Sequence, residues 1–228
     1  MDIRTISRVA GAASLIAGSL AVAVPIEITD EDAPIAVQLH DYAQHSALAM
    51  LSNLVLLPVI LIVPGMIYAA RLARGGAPLL AFVGGGLSVL GWIAGAMSIG
   101  AGQIALYQGA QLADQAGAVQ LIDRMNGDPV YGTLVGVFVL GHAIGMIVLG
   151  AGLWRSRAVA PWVAALFVAY PVGHVVGHAT SPVIDTISGV CLLVSAVAVA
   201  AAILRTSNER WDLPAGKAAA ELVAARTP

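Results

Sequence analysis

Six long, predominantly apolar runs separated by short polar connections make up most of this 228-residue chain. A helix that crosses a bilayer needs roughly 20 such residues, and its backbone hydrogen bonds are satisfied within the helix. Only 11% of the residues are charged, whereas a globular domain averages about 25%. We therefore predict an all-α fold, a polytopic transmembrane helix bundle of six spans. The predicted spans are 9–24, 47–70, 77–107, 130–154, 158–176 and 183–204, in a single transmembrane domain 1–204 followed by a tail, 205–228.

The charged residues alternate between the connections. Ten of the eleven Lys and Arg residues fall at the termini and in the second and fourth connections: Arg4, Arg8, Arg71, Arg74, Arg155, Arg157, Arg205, Arg210, Lys217 and Arg226. Nine of the thirteen acids fall on the opposite side: Glu27, Asp30, Glu31, Asp32, Asp41, Asp114, Asp123, Asp128 and Asp185. Short loops rich in Lys and Arg stay cytoplasmic. The pattern predicts a multi-pass protein of the bacterial cytoplasmic membrane with both termini inside.

The first span admits a second interpretation. It is short, it follows Arg4 and Arg8, and Ala21–Ala23 resembles a signal-peptidase site. Cleavage there would leave five spans and an outside N-terminus. We favour an uncleaved helix.

Small residues four positions apart predict close helix contacts, because backbones approach where side chains are absent. The pairs are Gly91 and Gly95, Gly132 and Gly136, Gly141 and Gly145, and Gly173 and Gly177. Besides the lipid bilayer, such faces offer a surface to a membrane-protein partner or a second copy. No basic stripe indicates a nucleic-acid partner, and a lone Cys191 excludes a disulfide framework and a cysteine metal site.

Ionisable side chains at membrane depth are costly, so they mark candidate functional positions. They are His45, His142, His174, His178 and Asp185. At about 1.5 Å per residue, four of them fall within about 6 Å of one level near the outer surface, whereas His142 lies roughly 10 Å deeper.

Two of these histidines, His174 and His178, are four residues apart and share a helix face, which allows both imidazoles to reach one metal. With His45 and Asp185 they form a plausible zinc set, in which Asp185 is the fourth ligand or the general base. Haem b held by His45 and His174 is an alternative. Hydrogen bonding to neighbouring helices and a proton or ligand pathway are the others. For Gln103 and Asn53 we predict interhelical hydrogen bonds.

Several short motifs resemble those of small six-span actinobacterial membrane proteins of unknown function. They are Ile6–Ala12, His45 before an apolar run that ends in Pro64–Tyr68, Gly152–Arg157, and Pro161 with Trp162. This resemblance covers most of the chain and implies the six-span fold, but no activity.

The late HxxxH pair also makes the chain similar to intramembrane zinc hydrolases of the ceramidase and progestin-receptor type. That resemblance implies an activated water that attacks a lipid amide or ester. The chain departs from the pattern in having six spans rather than seven. It also has Asp41, not serine, four residues before His45.

Three classes of function are therefore open. The sequence favours a structural or interaction subunit, because no catalytic motif is present. The first alternative is the metal-dependent hydrolase or haem-binding protein. The second is a small transporter or permease, which the helix-interior prolines Pro58, Pro64 and Pro171 and the mid-span His142 indicate.

Overall fold

In a computed structural model of the chain, the described residues are 2–24, 26 and 28–212, and these contain helices but no strand. The predicted tail beyond Asp212 lies outside them. The helices are α1 (Ile3–Ala23), α2 (Ile35–Gln44), α3 (Ser46–Val59), α4 (Ile62–Ala73), α5 (Pro78–Ala110), α6 (Gln115–Asn126), α7 (Pro129–Arg155), α8 (Pro161–Thr180), α9 (Pro182–Arg205) and α10 (Asn208–Asp212). Six segments are long and apolar enough to cross a membrane: α1, α3 with α4, α5, α7, α8 and α9. The predicted all-helical, six-span class is confirmed at this level.

Proline sets the start of four of these helices, because its missing N–H has no partner at a first helical position anyway. The helices α5, α7, α8 and α9 all begin in this way. The fifth span consequently starts at Pro161 rather than at Ala158, and it continues to Thr180 rather than ending at Val176.

The second span is broken near its middle. Pro58 lies in the last turn of α3, and α4 begins only at Ile62. A proline inside a helix removes one hydrogen bond and its ring clashes with the preceding turn. The predicted kink at Pro58 is therefore present as an interruption of the helix.

The core forms where helices approach closely. The most extensive contact is that of α5 with α7, followed by α8 with α9 and by α1 with α9 and α4. At Gly91 of α5 an added Cβ would stand 2.2 Å from the backbone nitrogen of His142 in α7. Not every predicted glycine pair is used in this way, since nothing lies within 4 Å of a Cβ placed at Gly132 or Gly136.

The two ends of the bundle differ in charge. At one end, which we call the acidic end, α2 and α6 pack on the end of α5 through Leu39, Tyr42, Ala118 and Ile122. The other end is the arginine end, where arginines of α1 and α4 contact α10. Helix α9 joins the two, with Asp185 in its first turn and Arg205 in its last.

Candidate functional site

A histidine–aspartate pair lies where α8 ends and α9 begins. The two helices touch at Gly177, where an added Cβ would stand 2.4 Å from the backbone nitrogen of Asp185. This contact brings Nδ1 of His174 to 2.5 Å from Oδ1 of Asp185. Ser188 Oγ also donates to Oδ1 of that carboxylate, at 3.3 Å. The side chains of His174 and Asp185 are 30% and 28% exposed, so water reaches the pair.

A second histidine, His142, lies inside the bundle and is only 1% exposed. Its Nδ1 is 2.8 Å from the carbonyl oxygen of Phe138, one turn earlier in α7. Because a carbonyl only accepts, Nδ1 carries the proton and Nε2 carries a lone pair. That buried Nε2 has no hydrogen-bond partner among the described residues. An unpartnered polar atom in a core is costly and requires an explanation.

Aromatic rings connect these two histidines. We call Trp92, Phe138, His142, Tyr170 and His174 the ring layer. The ring centroids of His142 and His174 are 6.0 Å apart, and Tyr170 stacks on His174 at 5.5 Å. On the other side of His142, Phe138 stacks at 4.5 Å and Trp92 lies at 5.4 Å. The ring layer is therefore continuous from the exposed His–Asp pair to the buried imidazole.

The outer limit of the ring layer is wet. The ring of His178 lies 6.2 Å from that of His174, and its Nε2 is 3.8 Å from Oε2 of Glu31. These two side chains are 64% and 79% exposed, so water screens their attraction. Nearby, burial and, to a lesser extent, the charge of Glu31 raise the pKa of Tyr42.

The structure brings together three of the four residues of the predicted zinc set: His174, His178 and Asp185. The fourth, His45, lies at the junction of α2 and α3, which pack mainly against α1, α5 and α6. Its Nδ1 is 3.0 Å from the carbonyl oxygen of Asp41. Within the described ranges, no three His, Cys, Asp or Glu residues are arranged to hold a metal. The zinc set and the haem pair stay predictions.

The predicted depth separation of His142 is wrong, since its ring lies beside that of His174. The cause is the length of α8. The helix runs to Thr180, so His174 lies about one turn deeper than a helix ending at Val176 implies.

The sequence interpretation missed Tyr170, Phe138 and Glu31. A signal for the first two was present, because Tyr170 precedes His174 by four residues, as Phe138 precedes His142, and this spacing places side chains on one helix face. No sequence signal places Glu31 beside His178.

Two other polar residues were predicted to link helices. Ser52 Oγ in α3 donates to Oε1 of Gln103 in α5 at 3.1 Å, which confirms the interhelical bond of Gln103. The prediction for Asn53 is wrong, because its Nδ2 donates at 3.1 Å to the Ala49 carbonyl of its own helix.

A scan against protein-family models finds no match, and searches of curated proteins and of solved structures find no similar protein. The two resemblances described from the sequence therefore stay predictions.

Proposed function

We propose that the protein is a small proton-coupled membrane transporter whose proton site is the ring layer. The observation that carries this proposal is the lone pair on Nε2 of His142. It is buried and unpartnered among the described residues, and its ring lies 6.0 Å from the water-exposed His174–Asp185 pair. Chains of His, Asp and Glu inside membrane proteins are typical proton relays.

The His–Asp pair is suited to exchange protons with the outside. Asp185 holds Nδ1 of His174, which leaves Nε2 of that ring to take up or release a proton. Histidine is the side chain whose ordinary pKa lies closest to neutral pH. Positive charge on His174 is stabilised by the carboxylate at 2.5 Å.

The buried imidazole is suited to end the relay rather than to continue it. A proton that arrives at Nε2 of His142 cannot leave through Nδ1, because that nitrogen faces a carbonyl oxygen, which does not accept a proton. The same Nε2 must release it. This arrangement favours reversible loading of a site over passive conduction across the membrane.

The broken second span supplies an element that such loading can move. A cavity of ≈ 30 Å³ lies against Trp92 and is lined by Leu56 and Val59 next to the break, with Gly95, Ala96 and Ile99 opposite. Discontinuous helices near the midplane are a feature of secondary transporters. Trp92 therefore contacts both the proton site and the helix interruption.

A metal site is the second candidate, and one observation favours it. A carboxylate that holds one nitrogen of an imidazole is the usual support of a metal-binding histidine, and Asp185 holds His174 in this way. Elemental analysis of the purified protein decides between the candidates. One zinc per chain that is lost in His174→Ala supports the metal site, whereas protein free of metal with a full proton response supports the relay.

Trp92 provides a reporter for the proposed relay, because a protonated imidazole quenches a neighbouring indole and the rings of Trp92 and His142 are 5.4 Å apart. We expect the Trp92 fluorescence, taken as the difference between wild type and Trp92→Phe, to fall as the pH decreases from 8 to 4. His142→Phe should abolish this response, and His174→Ala should slow it in a pH-jump experiment.

The matched control is His40→Ala. His40 is exposed and interacts with Gln44 in its own helix, at 2.8 Å, so the response should be unchanged. Equal responses in wild type and His142→Phe would contradict the proposal.

A further inference from the structure

The arginine end carries a cluster of guanidinium groups around the short helix α10. Arg8 donates to Oδ1 of Asn208 at 2.6 Å, and Arg74 donates to the carbonyl oxygen of Trp211 at 2.8 Å. Arg71 and Arg4 reach the carboxylate of Asp212, the last residue of the helix. These arginines come from α1 and from the end of α4, which are adjacent in the bundle.

The Asp212 carboxylate shows how this cluster receives an anion. Its Oδ2 lies 3.0 Å from Nη1 of Arg4, and its Oδ1 lies 3.3 Å from Nη2 of Arg71. Each oxygen thus has a different arginine. Nε of Arg71 is buried and has no partner in the part of the chain that the structure describes. A phosphate group, with more acceptor oxygens than a carboxylate, matches this spread of donors.

A cavity of ≈ 230 Å³ opens at the same place, lined by Ile3, Arg4, Ser7, Arg71, Trp211 and Asp212. Its walls are of two kinds. The cationic wall is formed by Arg4 and Arg71. The apolar wall is formed by Trp211, which stacks on Tyr68 at 5.7 Å, and by Ile3, which is 77% exposed.

The charge balance at this end also favours an anion. Four arginines, Arg4, Arg8, Arg71 and Arg74, meet the carboxylates of Asp2 and Asp212 and the exposed Glu209 on α10. Burial and then the charge of Arg71 lower the pKa of Arg74, while Asp212 opposes that shift. The cluster therefore retains positive charge that an additional anion would neutralise.

We infer that this cavity binds the phosphate group of an anionic phospholipid. The phosphate oxygens take up the position between Arg4 and Arg71 that the Asp212 carboxylate holds, and the lipid's apolar part follows Ile3 along α1. The exposed apolar wall favours a lipid over a free phosphate ion, because a free ion has no use for it. Basic pockets at the ends of transmembrane helices are suited to such headgroups.

Native mass spectrometry of the full chain, released from nanodiscs that contain equal amounts of phosphatidylglycerol and phosphatidylcholine, tests this inference. We expect retained phosphatidylglycerol to exceed retained phosphatidylcholine clearly. Arg71→Gln should weaken phosphatidylglycerol binding about tenfold, because it removes a charged hydrogen-bond donor. Asp212→Asn should strengthen it, because it removes the competing carboxylate.

The matched control is Arg155→Gln, which removes one exposed arginine at the end of α7, away from the cavity lining. It should leave binding unchanged. Arg4→Gln provides a second variant whose folding is not at risk, since the Arg4 side chain is 54% exposed. Equal retention of both lipids, or equal losses in Arg71→Gln and Arg155→Gln, would overturn the inference. Displacement of the lipid by millimolar inorganic phosphate would overturn its assignment to a lipid.

Discussion

The two ends of the bundle both gather charged side chains, but they use them in opposite ways. At the acidic end the ionisable groups form a line that leads inward, from Asp185 and His174 to a buried Nε2 of His142. At the arginine end the guanidinium groups converge on one short helix at the surface. Imidazole changes charge near neutral pH and guanidinium does not.

This difference separates a region suited to change from a region suited to hold. The acidic end gains or loses a proton without gaining or losing a contact residue, so its charge state follows its surroundings. The arginine end keeps its charge and requires an anion, which Asp212 supplies in part. Substitutions that affect one end and spare the other therefore test the comparison.

The largest effect should follow from Gly91→Ala, which acts on the ring layer. The new Cβ would meet the His142 backbone at 2.2 Å and push α7 away from α5. We expect a loss of about 3 kcal/mol in the free energy of unfolding, the upper part of the range for overpacking. The control is Gly86→Ala in the same helix, where nothing lies within 4 Å. Thermal unfolding in detergent measures both, and equal stabilities would show that the contact is not tight.

Next in size is Trp211→Ala, which acts on the arginine end. The substitution removes the stack on Tyr68 and the ring that lies 4.9 Å below the Arg71 guanidinium. We expect a loss of about 2 kcal/mol, less than a full core truncation because a short helix can readjust. The proton response of Trp92 should be unchanged. Trp162→Ala, at a 56% exposed position, should cost under about 1 kcal/mol.

A smaller effect on stability is expected from Asp185→Asn, although it alters the proton site. Loss of the charged hydrogen bond to His174 should cost about 1 kcal/mol, since the pair is partly hydrated. The same substitution should change the pH dependence of the Trp92 signal. Asp123→Asn, at an exposed position of α6, serves as the control and should change neither quantity. A stability loss without any change in the pH response would assign Asp185 a structural role alone.

The smallest effect concerns Tyr42 in the cap of the acidic end. Burial and the charge of Glu31 raise the pKa of its phenol above the ordinary value of 10.0. The folded protein therefore keeps a proton that the unfolded chain releases, so stability declines as the pH rises above 10 towards the folded pKa. Tyr42→Phe should flatten that decline by a few tenths of a kcal/mol at the onset. A decline that is identical in both proteins would show that other groups cause it.

Much of the fold follows from the sequence, because the length of an apolar run measures the membrane directly. The predicted spans differ from the helices mainly at their ends. Helix α1 begins at Ile3, and α8 extends beyond the predicted boundary, where Pro161 and Thr180 set its limits. Position along the membrane normal is thus predictable to within about a turn.

The candidate site was predictable only in part, because depth says nothing about position around the bundle. His174, His178 and Asp185 lie at one level and also on neighbouring helices, so they meet. His45 was placed at the same level, but it belongs to helices that pack on another side. The approach of α7 to α5 at Gly91, which places His142 in the ring layer, depends on packing partners that the sequence does not specify.

The most direct test of the relay is the protonation of His142 itself, observed by nitrogen-15 NMR of histidine-labelled protein in lipid. The structure predicts that at pH 8 the ring carries its proton on Nδ1 and a bare Nε2. As the pH falls to 4, the Nε2 signal should exchange with a protonated form, and His174→Ala should slow that exchange. A His142 signal that keeps a bare, non-exchanging Nε2 throughout, or one protonated at Nε2 already at pH 8, would contradict the relay.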